Sequence, residues 1–447
     1  NVRRPLAAFF VLVFVLGFLP LIFITSGRLY NPKKGELEKT TLLILESEPR
    51  GATILLNGKS PESWWLPYLP FLENRVYTTP GRLHYLIPDT YELSVTKNNY
   101  IPWNTTIALV GDQSTIIDNI KLWPLQLTGP LLQEDAHTIS ISPKGAYIAY
   151  TVDDGAKLFS IIDASVQPLP FNIDSITELW WGPDENALLA KSQDTFEYLN
   201  LADGRTQVIP FSTAIDTILW DRSNPEFLFG LNNETIETYS LTTANLEEKK
   251  IPAMVDVDTY KGTLSLLTID ALHVNVAGNS AKTHPSPRGE KLSRIVNQDS
   301  VWMYIAPTRG KLLRFHKPSS QWQTLDAKDI QDIALTNTDN QAVWWNEFEI
   351  GTLFLNSNTS VIQTRISDSI LDVIVDTEYE NNHHLIITNE KILSLDALPG
   401  GSMMTTTLLT IPNIHSTLYK QESKEVFITT TNDEGLFNVW LYATVLK

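Results

Sequence analysis

From Trp123 to Lys447 the chain repeats one pattern: an apolar run, a polar turn, and a second apolar run, recurring about every 40 residues. The clearest copies are ISISPKGAYIAY at 139–150, LWWGPDENALLA at 179–190 and ILWDRSNPEFLF at 218–229. Weaker copies pair 295–296 with 301–304, 333–335 with 342–345, 373–375 with 385–387, and 417–419 with 426–428. The region near Val255 and 264–267 fills the gap in register, and third runs recur at 156–159, 195–198 and 437–441. Long helical periodicity is absent. A strand-only unit of this length cannot bury its apolar faces alone and must stack on its neighbours, which is the pattern of a β-propeller blade. The count predicts about eight blades, with seven as the alternative because the fourth unit is faint. The last unit ends after its third strand near Val445. Its outermost strand is therefore expected from 125–132, closing the ring.

A second feature lies at the other end. Between Arg4 and Arg28 run 23 uncharged residues, PLAAFFVLVFVLGFLPLIFITSG at 5–27. About 20 apolar residues suffice to cross a bilayer, and membrane helices tolerate residues such as Gly17 and Pro20. The run predicts one N-terminal transmembrane helix, an anchor over 1–28 that contacts the lipid bilayer through residues 5–27. A cleaved signal peptide is the alternative, but the run is long for one and no A-x-A-like site follows. Arg3 and Arg4 precede the run while Arg28, Lys33, Lys34 and Lys39 follow it, so positive charge leaves the orientation undecided. An apolar segment ahead of a long body favours export. The expected localisation is the cell membrane, single-pass, with the large C-terminal portion extracytoplasmic.

Charge narrows the partners. With 51 acidic against 34 basic residues and a net charge of −17, the chain repels polyanions, and no dense Lys/Arg run offsets this; nucleic acid is not expected as a partner. Zero cysteines exclude disulfides, thiolate zinc sites and a cysteine nucleophile.

After a polar linker at 29–40, residues 41–123 read as a small β domain. Alternating or apolar runs occur at 41–45, 52–56, 91–95 and 105–109, and the second closes on the Asn57-Gly58 turn signal. This segment resembles the PEGA domain. The resemblance is carried by Pro49-Arg50-Gly51-Ala52, Leu56-Asn57-Gly58, Thr79-Pro80, Leu86-Ile87-Pro88, Tyr91 and Asn99-Tyr100-Ile101-Pro102. Asn99 and Asp89 or Thr90 stand where that family usually has Gly, and Asn and Asp are the non-glycine residues best able to take positive φ. The resemblance implies an extracytoplasmic β-sandwich without catalytic residues. Inside it, 60–73 holds Trp64, Trp65, Tyr68 and Phe71 among Pro61, Pro67 and Pro70. Prolines exclude regular pairing. The aromatics either cover their own domain or contact a partner or lipid headgroups.

Motifs for chemistry are missing. There is no G-x-S-x-G, H-E-x-x-H, Walker-type or G-x-G-x-x-G pattern. No catalytic, cofactor-binding or metal-ligating residue is assigned, no cofactor is expected, and the chain is read as not an enzyme. His383-His384 point to opposite strand faces and read as surface or turn residues. Asp256-Val257-Asp258 starts like a calcium loop, but Tyr260 and Lys261 break it. Asp153-Asp154-Gly155, Asp203-Gly204 and 432–435 read as hairpin turns. Trp180-Trp181 and Trp344-Trp345 read as packing residues. The Ser142-Pro143-Lys144-Gly145 turn resembles the blades of WD-repeat and TolB-like propellers. The combined expectation is an all-β chain: anchor 1–28, linker 29–40, PEGA-like domain 41–123 and propeller 124–447. Its expected role is a membrane-anchored, extracytoplasmic interaction protein whose propeller binds partner proteins in the cell envelope. A module binding cell-envelope glycan is the alternative.

Overall fold

The computed structural model describes residues 9–14, 26–31, 34–61, 76–125, 127–132, 134–173, 175–193, 195–212, 215–221, 224–232, 234–251, 253–260, 263–274, 281–298, 301–336, 340–375, 384–397, 403–420 and 423–444. The fold divides into two compact units.

The first unit, Asn1–Gln126 with Asp396–Met404 and Thr444–Lys447, holds a hairpin, Arg28–Asn31 against Glu36–Lys39, in the region read as a polar linker. Two three-stranded sheets follow. In one, Thr41–Glu48 lies between Gly81–Leu86 and Ser114–Lys121, with the last pair parallel. In the other, Thr90–Thr96 lies between Thr53–Leu56 and Trp103–Ala108. Both sheets bury residues in one core that includes Leu43, Leu45, Ile54, Leu93, Val95, Trp103 and Ile117. Alternation produces this: in Thr41–Glu48 every second residue from Thr41 to Ser47 is buried. The arrangement is two packed sheets; membership of the PEGA family is not shown.

The membrane-spanning helix expected over 5–27 is corrected, and with it the single-pass membrane localisation and the bilayer contact. No helix among the described residues is long and apolar enough to cross a membrane. The described helical part of the run is residues 9–14. Residues 1–8 and 15–25 lie outside the described residues.

The second unit, Leu127–Leu395 with Thr405–Ala443, is built of eight four-stranded antiparallel sheets. Seven are consecutive: blade 1 (138–168), blade 2 (178–209), blade 3 (217–250), blade 4 (256–285), blade 5 (292–328), blade 6 (332–365) and blade 7 (370–410). Blade 8 takes Ile414–Lys420, Glu425–Thr431 and Phe437–Ala443, and its fourth strand is Leu127–Thr128, which pairs with Leu441 and Tyr442. The segment that the sequence places at the closing edge is therefore where the ring closes. Apolar cores join each blade to the next from blade 1 to blade 6, and another joins Ile148, Tyr150 and Phe159 of blade 1 to Phe427 and Val439 of blade 8. The second strand of each blade is the most buried, as in Ala187–Ser192 and His384–Thr388, because it has neighbouring sheets on both faces. Outer strands such as Asn245–Lys250 are exposed throughout.

Candidate functional site

Some neighbouring innermost strands are tied by side chains. Asp256 of blade 4 accepts the backbone N–H of Ile295 in blade 5 at 2.6 Å. Arg294 of blade 5 pairs with Asp332 of blade 6 at 2.9 Å, and Thr417 of blade 8 donates to Asp372 of blade 7 at 3.3 Å. Burial raises the carboxyl pKa of Asp256, Asp332 and Asp372 above the ordinary range; hydrogen bonds from neighbouring N–H groups pull it back down in part. The Asp256-Val257-Asp258 sequence thus forms strand and blade contacts. Among the described residues no group of three or more His, Asp or Glu side chains is placed to hold a metal ion.

A second set of ties holds the loops between blades. Glu197, buried in the third strand of blade 2, accepts the backbone N–H and the side-chain amide of Asn172, both at 2.7 Å. In blade 3 the equivalent Glu237 accepts the N–H of Ser212 at 2.8 Å.

A groove in the propeller lies between blades 2 and 3. It sits at the end formed by the turns that join first to second and third to fourth strands. This groove, about 770 Å³, is lined among others by Ala187, Tyr198, Asp203, Arg205, Gln207 and Glu226. The turn residues explain its shape. Asp184 accepts the N–H of Asn186, Asn200 that of Ala202, and Asp203 that of Arg205, at 2.9–3.1 Å. Each short polar side chain closes its own turn, so the rim is fixed by local chemistry. The Tyr198 ring lies 6.1 Å from Trp220 of blade 3. Gln207 Nε2 donates to the Tyr239 hydroxyl at 2.6 Å. Burial, and then the charges of Asp184 and Asp203, raise the Tyr198 pKa, so the hydroxyl stays a neutral donor. Arg205 pairs with Asp203 at 3.4 Å but is 86% exposed, an arrangement that contributes little to stability and leaves the guanidinium available. Asp184, Asp203 and Glu226 outnumber this one cation, so the groove is net negative. Its lining offers hydrogen bonds, aromatic surface and charge, which is chemistry for binding.

The four aromatics singled out from sequence, Trp64, Trp65, Tyr68 and Phe71, lie outside the described residues. Trp181, Trp344 and Trp345 are buried and Trp180 is half-buried in the cores between blades, as packing residues. His384, read as a surface or turn residue, is instead 2% exposed in the second strand of blade 7, while His383 lies outside the described residues. Asp203 and Asn432 do close turns, with Asn432 accepting the N–H groups of Glu434 and Leu436. Sequence reading did not find the groove.

No protein-family model matches the chain, and no curated protein matches it. Solved structures do. The C-terminal WD40 domain of Sif2 is 11% identical, with 70% of this chain and 97% of that domain covered at a TM-score of 0.51. A eukaryotic initiation factor is 11% identical, with 71% and 92% covered at a TM-score of 0.52. Likeness at this identity establishes the architecture alone. The second unit is a β-propeller of the kind seen in WD40 domains.

Proposed function

We propose that the chain is a protein-interaction scaffold and that the groove between blades 2 and 3 is a docking surface on it. The carrying observation is the groove itself: an open, net-negative cleft with Tyr198 and Gln207 in its wall and exposed charges at its rim. The solved neighbours support the reading, since WD40 propellers present turns and edges to other proteins. Affinity at such a surface comes from a few desolvated anchors inside a polar rim. The lining of this groove has that composition.

A photo-crosslinking side chain at Glu226 tests this, with one at Glu247 in the exposed outer strand of blade 3 as the control. In the native cell, position 226 should give a discrete protein adduct that position 247 does not. Equal labelling at both positions would overturn the reading. An adduct that polysaccharide lyases remove, with no protein attached, would move it to the glycan-binding alternative.

A further inference from the structure

Blades 1, 2, 3, 5, 6 and 8 share one register position, the first residue of the second strand. It pairs with the last residue of the third: Tyr147 with Ser160, Ala187 with Asn200, Phe227 with Ser240, Trp302 with His316, Gln341 with Phe354 and Glu425 with Ala443. Blades 1, 3 and 5 place an aromatic ring there, blades 6 and 8 a longer polar side chain, and blade 2 the smallest side chain of the six. Tyr147 stacks on Trp181 of blade 2, centroids 6.2 Å apart and planes 19° apart. Trp302 lies under the Arg314 guanidinium at 4.1 Å and beside His316 at 4.5 Å. Blade 2 has alanine at the position, and the groove opens over it.

Blade 2 shares one further element of the blade 5 arrangement, the glutamine of the fourth strand. Tyr198 occupies the register of Arg314, since each pairs with the third residue of its second strand, Leu189 and Tyr304. Gln207 and Gln323 also correspond, pairing with Tyr198 and Arg314. In blade 5 the glutamine accepts from Arg314 Nε at 2.7 Å, which completes a stack of indole, cation and amide. Blade 2 keeps the amide and supplies an aromatic wall in place of the cation. It lacks the indole. Around the vacancy stand Asp184, Asp203 and Glu226, on a chain whose net charge is −17. An incoming ring there would meet Tyr198 and exchange water for apolar surface. A cation beside that ring would meet the rim carboxylates and be steered in by the field of the whole chain.

We infer that the groove takes an aromatic side chain of a partner protein into the position that Ala187 leaves empty, with a flanking Lys or Arg of the same segment held by Asp184, Asp203 and Glu226. This rests on the reading of the groove as a protein-docking surface and names the chemistry of the partner.

The test uses the full chain and three pentapeptides. Gly-Lys-Trp-Lys-Gly carries the proposed features, Gly-Lys-Ala-Lys-Gly lacks the ring, and Gly-Glu-Trp-Glu-Gly reverses the charge. Binding is titrated by heteronuclear NMR shifts of isotope-labelled peptide. The first peptide should bind at least about tenfold more tightly than the other two, a difference of about 1.4 kcal/mol. Ala187→Trp should fill the vacancy and abolish the preference for the ring. Because an added indole can disturb packing, the double substitution Asp203→Lys, Glu226→Lys on the exposed rim provides a second arm. It should remove the preference for the lysine peptide over the glutamate peptide. Equal binding of the alanine and tryptophan peptides, or an unchanged preference in a folded Ala187→Trp, overturns the inference. A Glu226 crosslink to protein that persists in Ala187→Trp also counts against it, while leaving the docking reading in place. Loss of the crosslink in the unmodified chain is the separate failure of that reading.

Discussion

Glu197 and Asn172 stand 25 residues apart and meet through two hydrogen bonds of 2.7 Å, one to the asparagine backbone and one to its side chain. Glu237 and Ser212 repeat the spacing of 25 in blade 3. A buried carboxylate is costly unless its lone pairs are satisfied. Here it fixes the loop that carries the chain from one blade to the next, and Asn172 extends the tie to Thr206 Oγ1 at 2.9 Å.

Glu197→Ala removes the acceptor of the Asn172 N–H and one acceptor of its amide, but Asn172 is exposed and its amide keeps Thr206 Oγ1, so water replaces part of the tie. A loss of about 1–2 kcal/mol is therefore expected in urea unfolding, the net scale of such hydrogen bonds. Glu197→Gln keeps one acceptor and should fall between. A loss under about 0.5 kcal/mol would show that the loop is held by other means.

Acid should favour the innermost strands. The Asp256, Asp332 and Asp372 carboxyls titrate above their unfolded range because they are buried. A folded pKa above the unfolded one means that the protonated form is the one the fold prefers. That contribution is fully present below the unfolded value of about 3.9 and is lost as pH rises through the folded pKa. Asp372→Asn retains an acceptor for the Val373 N–H and a polar partner for Thr417. Its melting temperature at pH 7 should equal or exceed that of the unmodified chain, with the gain vanishing below about pH 4. A gain that grows on acidification would contradict the assignment.

Closure of the ring depends on a close backbone approach. A side chain at Gly129 would start 2.8 Å from Trp440 Cε3 and 3.1 Å from its Cα. Gly129→Val should therefore push Leu127–Thr128 away from blade 8 and destabilise the propeller by about 1–3 kcal/mol. Deleting 127–132 should cost more, because it also frees the Val439 carbonyl that Leu131 N–H now occupies at 2.8 Å. Calorimetry of both variants checks this; an unchanged melt in the deletion would mean that the first seven blades and three strands suffice.

Trp64, Trp65, Tyr68 and Phe71 remain a sequence-based proposal for a second partner contact. Replacing Trp64, Trp65 and Phe71 with Ser should reduce partner recovery in quantitative crosslinking and leave the melting temperature within about 2 °C, the shift of well under 1 kcal/mol typical of surface changes. A cooperative melt lowered by 10 °C or more would place the rings in the core of the domain instead.

Strand repetition was legible because it is local. Apolar runs broken by polar turns, such as 179–190, record burial on both faces of a blade and the tight hairpins between strands. The closing strand was legible too, since a three-strand final unit leaves one edge to fill. Hydropathy misled at 5–27, where composition alone was read as a membrane span. Strands Gly81–Leu86 and Ser114–Lys121 were missed because charged and polar residues interrupt their apolar ones and their partner, Thr41–Glu48, is distant in sequence. Burial of Glu197 and His384 was equally hidden: a charged or imidazole side chain gives no apolar signal, and its enclosure comes from the neighbouring sheet. Ala187 looked like any small strand residue. Only when the sheets are stacked in register does it mark the place where blades 1, 3 and 5 carry a ring, because the space it leaves is bounded by residues of two blades rather than by its neighbours in the chain.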